Sequence, residues 1–231
     1  MTKSLKSIGQ VAVATGGRFR YKNTRMKALS KQTAGRGGFS LIELVLVLAL
    51  MIVLGTMMYG FGSGRRQKSQ KALCQDNLQK IYISLQIYAK DFNGRLPQTT
   101  NALTAEEPLD LLVPRYSADT AIFICPGGRD SALPAGEPLR QGKISYAYYM
   151  GRRLDDAQTA QGPLMSDRQV NTAPKQQGEP VFSDTGHAPG NNHHKFGGNI
   201  LMGNGSIQDS GPDAPAPLLI PPGVVLLNPK P

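Results

Sequence analysis

Three groups of side chains in this sequence are of a type that does chemistry. The first is a pair of cysteines, Cys74 and Cys125, the only two in 231 residues. An even count suits a disulfide in an oxidising compartment, and two buried free thiols are the alternative. The second group is His187, His193 and His194, close to Asp184. Imidazole is a common metal ligand, but no spacing such as H-E-x-x-H is present, and a polar loop whose histidines bond the backbone is the plainer account. Asp184 and Asp167 with nearby carbonyls offer oxygens to calcium, again without a recognisable loop spacing. Ser183, Asp184 and His187 are neighbours in sequence, whereas a catalytic triad is a spatial arrangement. The run "GGRDSALPAGEP" has no phosphate-loop pattern. No catalytic residue, metal site or cofactor is assigned, and no enzyme activity is expected. The third group is a single carboxylate, Glu43, set in the apolar run "GGFSLIELVLVLALMIVLGTMMYG".

That run is where the organisation of the chain starts. From Leu44 to Phe61, 18 residues carry no charge. At about 1.5 Å of rise per residue, a helix here crosses most of a bilayer core about 30 Å thick. A core helix of a soluble protein would keep a polar face, and this one has none. A cleaved secretory signal would have a shorter apolar core and a small-residue cleavage site. The net charge of +10 is unevenly placed: residues 1–38 hold nine bases and no acid, which leaves +1 on the other 193 residues. The basic balance therefore describes the leader, and a nucleic-acid partner is not expected. The positive-inside bias puts the N-terminus in the cytoplasm and the body outside, although Arg65, Arg66, Lys68 and Lys71 beyond the span moderate the contrast. A carboxylate within a span costs up to a few kcal/mol and usually has a partner.

The stretch "GGFSLIELVLVLALMIVL" resembles the processing site of type IV pilins and type II secretion pseudopilins. The resemblance implies that a prepilin peptidase cuts between Gly38 and Phe39 on the cytoplasmic face and then methylates the new amine of Phe39. It makes Glu43 the family's acid, four residues after Phe39. Glu43 of one subunit then pairs with the cationic amine of its neighbour in a stack of spans, which compensates both charges. A 38-residue leader is long for this family. Met26 lies 13 residues before Phe39 and opens "MKALSKQTAGRGG", a typical short leader, so Met26 is an alternative start.

Beyond the span, Gly55, Gly60, Gly62 and Gly64 each cost a helix about 1 kcal/mol relative to alanine, which predicts a bend or melted stretch. Cys74, Leu78, Ile81, Leu85, Tyr88 and Phe92 then recur at alternating steps of four and three, one face of an amphipathic helix. Asn93-Gly94 and Pro97 stop it. "PLDLLVPRY" reads as a short helix. "AIFICP", "KISYAYYM", "GPLMSD", "EPVFSD" and "NILMGNGSIQ" read as short strands, which would put Cys125 at the end of the first.

The expected organisation is a basic leader over 1–38, a transmembrane and assembly helix over 39–64, an amphipathic outer helix over 65–93, an α+β head over 94–210 and a Pro-rich tail over 211–231. The tail has seven prolines in 21 residues and reads as extended or disordered. The fold class is α+β and pilin-like: a long N-terminal helix packed on a small antiparallel sheet. "LQIYAKDFNGRLPQ", "FICPGG", "ISYAYYM" and "NHHKFGGNILMGNGSI" also resemble a subgroup of pseudopilin-like proteins common in Planctomycetes and Verrucomicrobia. Their signature is a histidine, nine residues, then Asp-Gly. Here His194 is followed by nine residues and Asn204-Gly205, with asparagine in place of the acid. Asn-Gly is a strong hairpin signal, so position 204 reads first as a turn. The rival reading brings His194 and Asn204 together to bind an ion or a partner.

The resemblance implies a processed, membrane-inserted subunit that polymerises with other pilin or pseudopilin subunits. Its expected partners are the prepilin peptidase/methyltransferase and an inner-membrane assembly platform. The alternative is a single-pass anchored external binding domain that never polymerises. Such a domain needs neither Phe39 nor Glu43.

Overall fold

The computed structural model describes residues 38–60 and 62–231, and side chains outside 59–63. The expected leader and the alternative start at Met26 lie outside the described residues, apart from Gly38.

Helix α1 spans Leu41–Gly60 and helix α2 spans Gly62–Asp91. The melted stretch expected at the glycines is not found at the glycines themselves, and residue 61, between the two helices, lies outside the described residues. Gly55, Gly60, Gly62 and Gly64 are all helical. Every large apolar side chain described in α1 is exposed or nearly so, from Leu41 at 79% to Met58 at 81%. A window from Leu41 to Met58 has mean hydropathy 2.6, which makes α1 long and apolar enough to cross a membrane.

Helix α2 has one apolar face, and that face is covered. Cys74, Leu78, Ile81, Leu85 and Tyr88 are buried, joined by Tyr82 and Ala89. Phe92, the last position of the expected stripe, is half-exposed because the helix has already ended; its ring stacks on Tyr88 at 4.3 Å. Asn93 and Gly94 take positive φ (52° and 78°), and the Gly94 N–H donates to the Ala89 carbonyl at 2.8 Å. Glycine serves there because it reaches the left-handed region without strain.

The head is α+β. Five antiparallel strands lie in the order β4-β3-β2-β1-β5, with β1 Tyr146–Met150, β2 Pro163–Asp167, β3 Gly198–Met202, β4 Ile207–Ser210 and β5 Val225–Leu227. A short helix α3 (Glu106–Leu109) precedes β1 in the chain, and α4 (Ala157–Gln161) lies between β1 and β2. The inner face of the sheet presents Tyr146, Tyr148, Leu164 and Leu201 to the α2 stripe, together with Leu109, Leu112 and Phe123. Alternation within β1 sends Ala147 and Tyr149 to the other face, where Leu226 meets them. A third cluster, Val181, Phe182, Ile200, Ala214 and Leu218, closes the far side of β3.

Three expectations are corrected. "AIFICP" is not a strand: Thr120–Phe123 is a 3-10 turn capped by Asp119, whose side chain accepts from the Ala121 N–H at 2.9 Å. A local side-chain cap outcompeted a β-prone composition, and Cys125 follows a turn rather than ending a strand. "EPVFSD" makes only a single bridge, Pro180 to Asp213. Its β-prone pair, Val181 and Phe182, both donate to the Pro212 carbonyl, so the segment serves as a lid rather than a ladder member. Of the two states expected for the tail, extended and disordered, it takes the extended one, and it is not separate from the head. It bridges Lys175 through Leu218 and ends in β5, which pairs with β1 in the register Tyr148↔Leu227. Proline limits ladder bonding but does not prevent burial. Leu218, Leu226 and Leu227 are each at most 4% exposed, worth about 1.5–3 kcal/mol apiece.

Candidate functional site

Two places bring chemistry-bearing residues into a defined geometry. The first is the start of α1. Gly38, Phe39 and Ser40 are exposed and precede the helix. Among the described residues, a Cβ at Gly38 would meet nothing within 4 Å. The helix opens at the Ser40 carbonyl, which accepts from the Glu43 and Leu44 N–H groups at 2.9 and 3.1 Å. Glu43 lies in the first turn, where the N-terminal end of the helix dipole favours an anion. The Gly38–Phe39 peptide thus sits in open, non-helical backbone directly before an apolar helix.

The second place is inside the head. Cys74 of α2 is disulfide-bonded to Cys125, with Cα atoms 5.3 Å apart. Beside the disulfide, His193 Nε2 lies 3.2 Å from Cys125 Sγ and 3.4 Å from Asp167 Oδ2. Asp167 ends β2 and is wholly buried, as is His193. Its carboxylate is held on both oxygens. Oδ1 accepts from the Asn192 side chain at 3.0 Å, and Oδ2 accepts from the Asn199 backbone at 2.7 Å and side chain at 3.0 Å. The Asn199 amide also donates to the Lys71 carbonyl of α2, and Asn192 donates to the Ser145 carbonyl. This network ties α2, β2 and the loop before β3 together. Its charge reaches one core tyrosine: burial, and then the nearby Asp167, push the Tyr146 phenol well above its ordinary range. Burial likewise raises Tyr148 and Tyr149.

The histidines that cluster in sequence diverge in space. His193 points into the core. His194 packs against Gly186 and shares a surface hollow with Asp184, Gln67 and Phe196. His187 lines a different hollow with Arg129, Lys143 and Arg168. Ser183 Oγ is bonded to Thr185 Oγ1 at 3.1 Å rather than to His187. His194 and Asn204 stand at opposite ends of β3, about 17 Å of strand apart. Asn204 closes the β3–β4 turn: its Oδ1 accepts from the Ser206 N–H at 2.9 Å and hydroxyl at 2.7 Å. Gly205 has φ 86°, and a Cβ there would press on the Tyr82 ring.

The sequence suggested His193 only alongside His187, His194 and Asp184, and Asp167 only alongside Asp184; neither set was assigned as a metal site, and neither residue was joined to the cysteines. The usable signal was an aspartate closing the apolar run "PLMSD" and a polar cluster, "NNHH", shortly before the next strand. Comparison with family models, curated proteins and solved structures gave no match.

Proposed function

We propose that this chain is a structural subunit of a type II secretion pseudopilus or a type IV pilus-like filament, not an enzyme. It is made as a prepilin, cut after Gly38 by a prepilin peptidase, methylated at Phe39, and polymerised through α1. The observation that carries this reading is the junction. An exposed, non-helical Gly38–Phe39 peptide leads at once into a helix that is apolar on all sides, with one carboxylate, Glu43, in its first turn. A plain membrane anchor has no use for that acid. A stack of spans does, because the amine that cleavage creates on a neighbouring subunit is its counter-charge. The α+β head, crosslinked to α2, is the part such a filament would display outside the membrane.

Intact mass of the membrane-extracted chain tests this directly. The expected species begins at Phe39 and carries one added methyl group. A full-length or otherwise trimmed chain overturns the reading. Gly38→Leu should leave the uncut precursor in the inner membrane, because a side chain beside the scissile bond clashes with an enzyme that grips extended backbone. Glu43→Ala should insert and be cut normally, since the span becomes more apolar, but fail to enter filaments. Normal incorporation of that variant removes the charge pair from the mechanism.

A further inference from the structure

Four donor atoms from four segments of the head meet beside the disulfide. They are Cys74 Sγ, Cys125 Sγ, a His193 ring nitrogen and an Asp167 carboxylate oxygen, all within 4.8 Å of one another and all on buried residues. A disulfide does not require such company. It is neutral and weakly polar, and an apolar wall would serve it. A carboxylate and an imidazole in a dry interior are costly unless they are paired or hold a cation.

The spacings fit a tetrahedral ion. With bonds of about 2.1 Å to nitrogen and oxygen, those two ligands stand about 3.4 Å apart. His193 Nε2 and Asp167 Oδ2 are 3.4 Å apart. With a zinc–sulfur bond of about 2.3 Å, the nitrogen–sulfur edge is about 3.6 Å. His193 Nε2 and Cys125 Sγ are 3.2 Å apart. The sulfur–sulfur edge is too short, because the two atoms are bonded; a zinc site needs them about 3.8 Å apart, and the remaining edges all lie within 4.8 Å. The carboxylate is already aimed by Asn192 and Asn199, the kind of outer support that metal-binding carboxylates receive.

We propose that the reduced chain binds one zinc ion through Cys74, Cys125, His193 and Asp167, and that forming the disulfide excludes it. A dithiol reductant supplies two electrons and two protons, cleaves the sulfur–sulfur bond and leaves as its own disulfide. Zinc then displaces the two thiol protons to solvent and accepts a lone pair from each thiolate, from His193 Nε2 and from Asp167 Oδ2. The three anionic ligands exceed the charge of the ion by one, and the amide groups of Asn192 and Asn199 face that excess. Both closures tie α2 to the segment after the Thr120–Phe123 turn. Zinc alone would also bind β2 and the loop before β3 into the same crosslink. The inference does not depend on the filament reading.

The test uses the full chain in detergent, prepared disulfide-bonded and reduced, each loaded with zinc and freed of excess. The reduced chain should retain one zinc per molecule and the oxidised chain none. Cobalt(II) in the reduced chain should show the ligand-field and thiolate charge-transfer absorption of a tetrahedral site. Asp167→Asn and His193→Gln should each weaken zinc binding by at least about tenfold. Bound zinc should also slow alkylation of the two thiols in the reduced wild-type chain, a measurement that needs no variant. Equal zinc retention by both redox forms overturns the proposal. So does an unchanged alkylation rate, or wild-type affinity in both variants.

Discussion

Helices α1 and α2 follow one another in the chain and solve the burial problem in opposite ways. In α1 the apolar side chains go all round and stay exposed, so whatever covers them is not among the described residues. In α2 they form one stripe, and the head supplies its cover: Leu78, Ile81 and Leu85 are fully buried, while Ile83 and Ile87, off that stripe, are about half-exposed. A helix with a stripe is completed by its own fold, and a helix without one is completed by its surroundings. Substitutions in α2 should therefore register in the head's own stability, and substitutions in α1 only in what the chain inserts into or assembles with.

The largest test of this division is the crosslink. The disulfide spans 51 residues of separation, and closing a loop of that length is worth about 4 kcal/mol in the chain-entropy model. Replacing Cys74 and Cys125 together by serine should lower the head's unfolding free energy by about that amount, read from urea denaturation with metal chelated. A loss under about 1 kcal/mol would mean that the packing of α2 on the sheet needs no crosslink.

Leu78→Ala should cost about 3 kcal/mol, since a fully buried leucine leaves a cavity behind. Leu48→Ala, on a half-exposed residue of α1, should leave the head's melting midpoint where it is. Equal effects of the two would erase the distinction between the helices.

Alkaline pH probes the same core through its phenols. Burial raises Tyr146, Tyr148 and Tyr149 above their ordinary value of 10.0, so the folded head keeps these protons when the unfolded chain has begun to lose them. Their stabilising contribution is intact below pH 10 and declines above it, by roughly 2 kcal/mol at about pH 10.5 for the three together. Stability that holds steady through that range would show that the phenols ionise in the folded head.

The smallest effect is expected at the β3–β4 turn. Asn204→Asp should change stability by under about 1 kcal/mol, because a carboxylate can accept the same two Ser206 bonds. A melting shift that appears only with calcium or zinc would make position 204 a ligand rather than a turn residue.

Much of this arrangement was legible in the residues, and for identifiable reasons. The stripe of α2 was readable because periodicity encodes a face. The β3–β4 hairpin was readable because Asn-Gly encodes a turn. The α+β class followed from both. What escaped depends on contacts between distant segments. Asp119 converts a β-prone run into a turn through one side-chain bond. The tail is held by Pro212, which accepts bonds from Val181 and Phe182 some 30 residues earlier, and no local pattern announces such a partner. The cluster at the disulfide escaped for the same reason. Cys74, Cys125, Asp167 and His193 come from four parts of the chain, and only tertiary packing brings them together.

The sheet ends in short borders. β4 has four residues and β5 three, and prolines flank β5 on both sides in sequence, at Pro221, Pro222 and Pro229. At the β4 border, Lys71 of α2 is ion-paired with Asp209 and takes up the Ser210 carbonyl at 2.9 Å. Exposed strand borders recruit strands from other molecules, and brevity, proline and lysine are what discourage it. Without such borders, the heads of two copies that meet in solution would be prone to zip into one continuous sheet. With these borders the sheet of each head offers little for another copy to extend, and the head stays a closed particle.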